Sequence, residues 1–344
     1  MALLQSGYKR TRPLALSISD RTLTPPILLA PLAGITDLPF RTLVAGFGAG
    51  LVTSEMVASQ EIVQAKASAR DRAELGFGIE NSAVQIAGSE AYWMAEAARM
   101  VEANGARLID INMGCPAKRV TNSRGAGASG SALMRDLDHA VTLINAVVAA
   151  VDVPVTLKTR LGWDDGLLNA PELAVRAENA GIKMITIHGR TRCQFYKGQA
   201  DWNAIANVKR AVRIPVVANG DIVDANTART ALGQSNADGV MIGRGAQGRP
   251  WILAQIAHEI YGTQAPTIPS GTELGDLVSG HYEAMLDFYG QKMGLRVARK
   301  HLAWYLDDAG TCVDLRKRIL TSREPTDVLS LIARAFEGTE RVAA

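Results

Sequence analysis

Short aliphatic and β-branched runs alternate with amphipathic stretches through the first three-quarters of the chain, the pattern of repeated βα units that build a parallel sheet. Eight runs read as strands: ILLAPLA (27–33), LVTSE (51–55), AVQIAG (83–88), LIDINMG (108–114), VPVTLKTRLG (153–162), MITIHGR (184–190), PVVANGD (215–221) and GVMIGRG (239–245). Helical stretches lie between them at 89–103, 137–150, 170–180 and 201–211, and another at 224–233 opens on Asp224 near its N-cap. Eight such units close into a barrel, and the predicted fold is a (β/α)8 TIM barrel. Pro266, Pro269 and Gly271 mark a linker after about residue 260, beyond which strand runs stop and helical periodicity continues to the end. The expected division is therefore a catalytic barrel over 1–262 followed by a small C-terminal helical domain over 263–344.

In a barrel, polar residues at the C-terminal ends of strands face the active site. Each apolar run here ends in polar or glycine-rich chemistry: Asn112 to Cys115, Lys158 to Arg160, His188 to Arg190, Asn219 to Asp221, and Gly243 with Arg244. All should converge on one mouth.

Composition supports this picture and narrows it. With 344 residues, 47% of them hydrophobic and 21% charged, the chain can bury a large core, and disorder is excluded as a general description. The formal net charge of +3 is too small to announce a nucleic-acid protein, so the distribution of charge has to decide. Basic residues gather at Lys9, Arg10 and Arg12; at Lys118, Arg119 and Arg124; at Arg190, Arg192 and Lys197; and at Arg296, Arg299 and Lys300. One such cluster is what any solvated surface presents; four beside predicted loops and one helix face favour a polyanion partner. The apolar stretch before the N-terminal basic residues is too short for a signal peptide, and AVVAAV is far too short to span a bilayer, which predicts a cytoplasmic protein without a membrane partner. Three widely spaced cysteines, Cys115, Cys193 and Cys312, contain no CxxC pair, so neither disulfides nor a metal site is expected.

Three features suggest chemistry. Barrels bind phosphate with the loops after their last two strands, where free N–H groups and a helix N-terminus favour an anion; NGD (219–221) and GRGAQGRPW (243–251) occupy that place, with Arg244 adding a cation. Lys158, inside an otherwise apolar and threonine strand, needs an anionic partner at the barrel mouth. A reduced flavin, negative near N1 and O2, would supply one. A Schiff-base lysine and a lysine reaching a rim carboxylate are the rival readings. Cys115 leaves the fourth strand between Gly114 and Pro116, a tight exit that exposes the thiol; mostly protonated at neutral pH, a thiol there can act as a general acid. Cys193 and Cys312 read instead as small buried hydrophobes.

Taken together, APLAGITD (30–37), VQIAG (84–88), DINMGCP (110–116), LKTRLGW (157–163), HGRTR (188–192), NGD and GRGAQGRPW resemble the tRNA-dihydrouridine synthases, most closely the bacterial B subgroup. The resemblance covers nearly the whole chain. It implies a flavin-binding barrel with a helical tRNA-binding domain that reduces the C5–C6 bond of a tRNA uridine, in the D-loop, with NADPH or NADH recharging FMN. It implies that Pro31, Leu32 and Ala33 meet the flavin ring, that Gln85 bonds its polar edge, and that Lys158 sits by N1 and O2. Asn219, Gly220, Asp221, Gly243 and Arg244 would hold the ribityl phosphate. His188 and Arg160 would contact flavin or uracil, Asn112 and Arg190 the substrate, and Cys115 would protonate C5.

Leu32 stands where the family commonly has methionine, a volume-conserving change. The loop KRVTNSRGAGASGSALM after Cys115 is longer than the subgroup leads one to expect; with its glycines and Arg124 it suits either a lid that orders on RNA or a passive insertion. RVARKHLAWY (296–305) resembles the subgroup's RNA-facing helix, and Arg296, Arg299 and Lys300 at i, i+3 and i+4 form one basic face suited to phosphates. The alternatives are a flavoenzyme acting on a free pyrimidine or enone, an aldolase using Lys158, and a non-catalytic RNA-binding protein.

Overall fold

A computed structural model describes residues 13–76, 79–121 and 128–337. Lys9, Arg10, Arg12 and Arg124 from the basic clusters, and the centre of the long loop after Cys115, lie outside the described residues.

The described residues begin with an antiparallel hairpin, β1 (Leu16–Ile18) and β2 (Arg21–Leu23). The barrel strands follow as β3 (Ile27–Leu29), β4 (Leu51–Thr53), β6 (Ser82–Ala87), β7 (Ile109–Met113), β8 (Val155–Arg160), β9 (Ile185–His188), β10 (Val216–Asn219) and β11 (Gly239–Ile242), with a short β5 (Val57–Ala58) beside β6. Each barrel strand pairs in parallel with its neighbours, β11 with β3, and β4 with β6, so the sheet closes on itself. The chain is thus an eight-stranded (β/α)8 barrel followed by a group of C-terminal helices.

Strand alternation sorts the core into two zones. Ile109, Ile111 and Met113 of β7 face outward and join the large apolar layer between sheet and helices. Leu28, Leu51, Ala83, Leu108, Met184, Val217 and Met241 point inward with Leu16, Ile18 and Leu23 of the hairpin, which plugs the lower end. With the lower end filled by apolar side chains, the upper end is left to polar ones.

The predicted strands coincide with observed ones but overrun their C-terminal ends: 27–33 shortens to Ile27–Leu29, and 239–245 to Gly239–Ile242. The residues beyond leave the ladder to turn into the barrel mouth, so an apolar run is no guide to where pairing stops. The predicted helices are found, including Ala225–Ser235, where Asp224 and Thr227 form a capping box. The hairpin, β5, and helices Leu38–Gly46, Ser59–Val63, Ala67–Ala73 and Ile252–Tyr261 were not distinguished by periodicity.

Beyond an extended segment, helices Gly271–Tyr289, Gln291–Asp308, Val313–Thr321 and Pro325–Phe336 enclose a second core of Leu274, Val278, Met285, Leu302, Ile332 and Phe336. They dock against loops at the barrel mouth. A Cβ at Gly34, where φ is +70°, would lie 2.9 Å from Lys300 Nζ, and one at Gly248 would lie 3.0 Å from Trp304, so both loops approach the helices as glycine allows. Among the described residues no helix is long and apolar enough to cross a membrane. Cys193 and Cys312 correct an expectation: both are exposed, Cys193 in the loop after β9 and Cys312 at the N-cap position of Val313–Thr321, because neither belongs to a strand or helix face that reaches a core.

Candidate active site

The inward positions of the strands determine which side chains meet at the mouth. Gln85 on β6, Asp110 and Asn112 on β7, Thr156, Lys158 and Arg160 on β8, His188 on β9 and Asn219 on β10 occupy one parity of their strands. Asn112 is in register with Lys158, Arg160 with His188, and His188 with Asn219. Above them opens a cavity of about 630 Å³. Pro31, Leu32, Ala33, Gln85, Asn112, Cys115, Lys158, Arg160, His188, Asn219, Gly220, Asp221, Gly243 and Arg244 all line it.

A buried hydrogen-bond network underlies the cavity floor. Asn112 Nδ2 donates to Gln85 Oε1 (2.8 Å), Gln85 Nε2 to Asp110 Oδ2 (2.7 Å), and Thr156 Oγ1 to Asp110 Oδ1 (2.6 Å). Burial raises the Asp110 carboxyl, and the Thr156 and Gln85 hydrogen bonds oppose that rise. Gln85 and Asn112 are thereby held in single orientations.

Lys158 is 9% exposed and donates to Asn219 Oδ1 at 3.1 Å. No carboxylate pairs with it among the described residues. Burial, then the nearby Arg160 charge, depresses its ammonium to about 8, with Asp110 opposing the fall. His188 is pushed well below the ordinary histidine value by burial and by the charges of Arg160, Lys158, Arg190 and Arg244, so its imidazole is neutral. The upper wall is a positive, partly dehydrated surface suited to an anion.

Cys115 is held through its backbone. Asn112 Oδ1 accepts from the Gly114 N–H (3.3 Å) and the Cys115 N–H (3.0 Å), while Ser131 donates to Cys115 O through both N–H (3.0 Å) and Oγ (2.9 Å). Arg160 Nε donates to Gly114 O (2.8 Å), and its Nη1 donates to Thr191 O (2.9 Å) and Phe195 O (2.8 Å). One guanidinium thus ties the turn carrying Cys115 to the loop after β9. The thiol itself lines the cavity, half-buried.

One predicted contact falls outside the cavity, and the predicted RNA-facing residues lie on their own helix. Arg190 does not line the cavity; it lies beneath the rim, buried, with Nε and Nη2 donating to Lys197 O and Gly198 O and a two-pronged bond to Asp221. Arg296 and Arg299 are exposed on helix Gln291–Asp308, and half-buried Lys300 reaches toward Gly34. Sequence reasoning missed Tyr196, Met56, Gln247 and Arg249 on the cavity wall. Tyr196, 54% exposed, sits 5.5 Å from the Arg160 guanidinium and 5.3 Å from that of Arg244, ring facing charge. Arg249 lies in the quoted GRGAQGRPW motif, so its position was visible, whereas Tyr196 sits in a loop without periodicity.

The profile of the dihydrouridine synthase (Dus) family matches residues 28–337. The chain is 60% identical to the "Probable tRNA-dihydrouridine synthase" of Rhodobacter capsulatus over 96% of this chain and all of that one. It is 48% identical to the protein of the same name from Rickettsia conorii, over 93% of this chain and 96% of the relative. Identity to "tRNA-dihydrouridine synthase B" of Xanthomonas campestris is 45% over 94% and 96% of the two chains. A match that spans barrel and C-terminal helices together, at this identity, leaves one assignment: the chain belongs to the dihydrouridine synthase family.

Proposed function

We propose that this protein is an NADPH-dependent, FMN-binding oxidoreductase that reduces the C5–C6 double bond of uridines in the D-loop of tRNA, working in the cytoplasm. The observation that carries this reading is one cavity lined by both Cys115 and Lys158, the latter an ammonium without a paired carboxylate among the described residues.

The donor set fits FMN. Among the described residues Asp221 is the only acid on the wall, and Arg190 and Arg244 already pair with it, which leaves Lys158, Arg160 and Arg249 to favour an anionic ligand. Gly220 and Gly243 admit close backbone approach for a phosphate, Pro31, Leu32 and Ala33 offer an apolar face for a ring, and Gln85 and Lys158 would meet its polar edge. When bound, FMN supplies the hydride that adds to C6 and is recharged by NADPH. Cys115 holds the proton that goes to C5, so that hydride and proton together saturate the double bond. Arg160 and Asn112 position the Cys115 turn, and His188, being neutral, can accept or donate a hydrogen bond to the uracil edge without adding charge. Residues 263–344 supply the tRNA contacts, with Arg296, Arg299 and Lys300 set for phosphates; a uridine must leave its stack to reach the cavity.

The test is direct. Purified protein should release FMN and not FAD on denaturation, and should convert uridine to dihydrouridine in tRNA lacking it when given NADPH. Colourless protein without affinity for added FMN would overturn the reading, and borohydride trapping of a carbonyl substrate on Lys158 would favour the aldolase. Flavin reduction without any tRNA product would point to a small-molecule substrate.

A further inference from the structure

We propose that Asp37, His281 and His301 form a zinc-type divalent metal site that clamps the C-terminal helices to the barrel. Each offers one ligand atom, and these atoms all lie within 4.8 Å of one another. The three residues come from separate elements. Asp37 is the N-cap of helix Leu38–Gly46, just after β3, while His281 and His301 lie on helices Gly271–Tyr289 and Gln291–Asp308.

The polar accounting points to a ligand. Asp37 Oδ1 accepts from the Phe40 N–H at 3.0 Å, and its Oδ2 accepts from the Tyr289 hydroxyl at 3.2 Å, leaving lone pairs on both oxygens. His281 Nδ1 faces the Tyr305 hydroxyl at 3.1 Å. His281 Nε2 and both ring nitrogens of His301 have no hydrogen-bond partner among the described residues, although the two histidines are only 2% and 1% exposed. Buried polar atoms are nearly always satisfied, and a neutral imidazole carries one lone pair beside one N–H, so an ion could take one nitrogen of each ring next to the carboxylate.

Two imidazoles and one carboxylate suit zinc or a neighbouring late first-row ion, and not calcium or magnesium, which take oxygen ligands. The walls are apolar and stiff. Phe40 packs against both imidazoles, with ring centroids 5.8 Å from His281 and 5.2 Å from His301, and Trp304 closes the far side of His301 at 5.4 Å. Around the cluster stand Arg41 and Glu55 near Asp37 and Lys300 near His301, so an added dication would meet two carboxylates and two cations. Tetrahedral coordination would draw the ligand atoms to roughly 3.4 Å from one another, a closure that side-chain rotation can supply.

The experiment uses full-length protein without an affinity tag, purified without chelator. Elemental analysis should find about one zinc per chain. Metal-stripped protein should take up one equivalent of Co²⁺ with the visible absorption of a tetrahedral site and only nitrogen and oxygen ligands by X-ray absorption. His301→Gln and Asp37→Asn should each weaken uptake by more than about 100-fold, whereas the double variant Cys193→Ser/Cys312→Ser should bind as the parent does. Stripping should lower Tm without changing flavin content, which separates this site from the cavity. Absence of zinc together with no uptake of Zn²⁺ or Co²⁺ at micromolar concentration would overturn the proposal. So would uptake unchanged in His301→Gln, or sulfur in the coordination shell. Should His301→Gln not fold, the stoichiometry and ligand set of the parent protein still decide.

Discussion

Arg190 grips Asp221 with both terminal nitrogens, Nη1 to Oδ1 at 3.0 Å and Nη2 to Oδ2 at 2.5 Å, from a position beneath the cavity rim. Asp221, at φ +56°, also accepts from the Ala200 N–H (2.8 Å) and from Arg244 Nη2 (3.2 Å). The pair therefore holds the loop after β10 in a backbone conformation that L-residues rarely adopt, and it orients Arg244 over the mouth. An arginine that sequence reasoning assigned to substrate is set to act through the shape of the loop.

Removing Arg190 should cost stability more than chemistry. Arg190→Ala leaves a partly buried carboxylate with a single cation, and we expect a loss of about 2–4 kcal/mol in denaturant unfolding, toward the low end because Asp221 retains water contact. Burial works to raise the Asp221 carboxyl, but hydrogen bonds from Arg190 and Ala200 and the charges of Arg190 and Arg244 outweigh it and hold the group below its ordinary value. Its contribution is present above the unfolded pKa and is lost as pH falls through the lower folded one. Unfolding followed below about pH 4 should show this acid-side loss in the parent and a smaller one in Asp221→Asn.

Lys158 should make anion binding pH-dependent. Its ammonium, held down to about 8 by burial and Arg160, is charged below that pH and neutral above. FMN titrated into flavin-free protein should bind more weakly as pH rises through this region. Lys158→Met should bind FMN roughly 10- to 100-fold more weakly at pH 7 and lose the pH dependence. A pH-dependent affinity that persists in Lys158→Met would assign the titration to another group.

Cys115→Ala should separate the two half-reactions. Flavin reduction by NADPH needs no thiol and should proceed near the parent rate. Uridine reduction in tRNA should fall by about 10²- to 10⁴-fold, the usual contribution of a positioned acid, with tRNA affinity preserved. Cys115→Ser should recover little, a hydroxyl being a far weaker acid. Cys193→Ala and Cys312→Ala, at exposed positions, should match the parent; full activity in Cys115→Ala would remove the thiol from the mechanism.

The basic face of helix Gln291–Asp308 should govern RNA affinity. Changing Arg296, Arg299 and Lys300 together to alanine should weaken tRNA binding and reduce the magnitude of the salt slope by about 2, while NADPH oxidation by the flavin stays unchanged. The helical region as a whole is not basic, with ten Lys and Arg against eleven Asp and Glu over residues 270–344, so local placement has to produce the effect. Equal affinity and equal slope would identify this face as merely solvated.

The sequence by itself determined the eight barrel strands and their order. Period-two runs ending in NMGC, KTR, HGR, NGD and GRG placed eight strands and one functional end, because side-chain alternation is local and is written in consecutive residues. Tertiary structure decided what depends on closure and register. The hairpin of β1 and β2 had no periodic signal, yet it seals the barrel floor and so leaves the polar residues to the other end. Arg190 follows His188 by two residues, but the strand has ended at His188 and Asp221, 31 residues later, holds Arg190 under the rim while His188 lines the cavity. Tyr196 reaches Arg160 and Arg244 only because the loop after β9 folds back over β8. Asp37 meets His281 and His301 across more than 240 residues of chain, where no spacing rule could pair them, and only the docking of two apolar cores brings their polar atoms together.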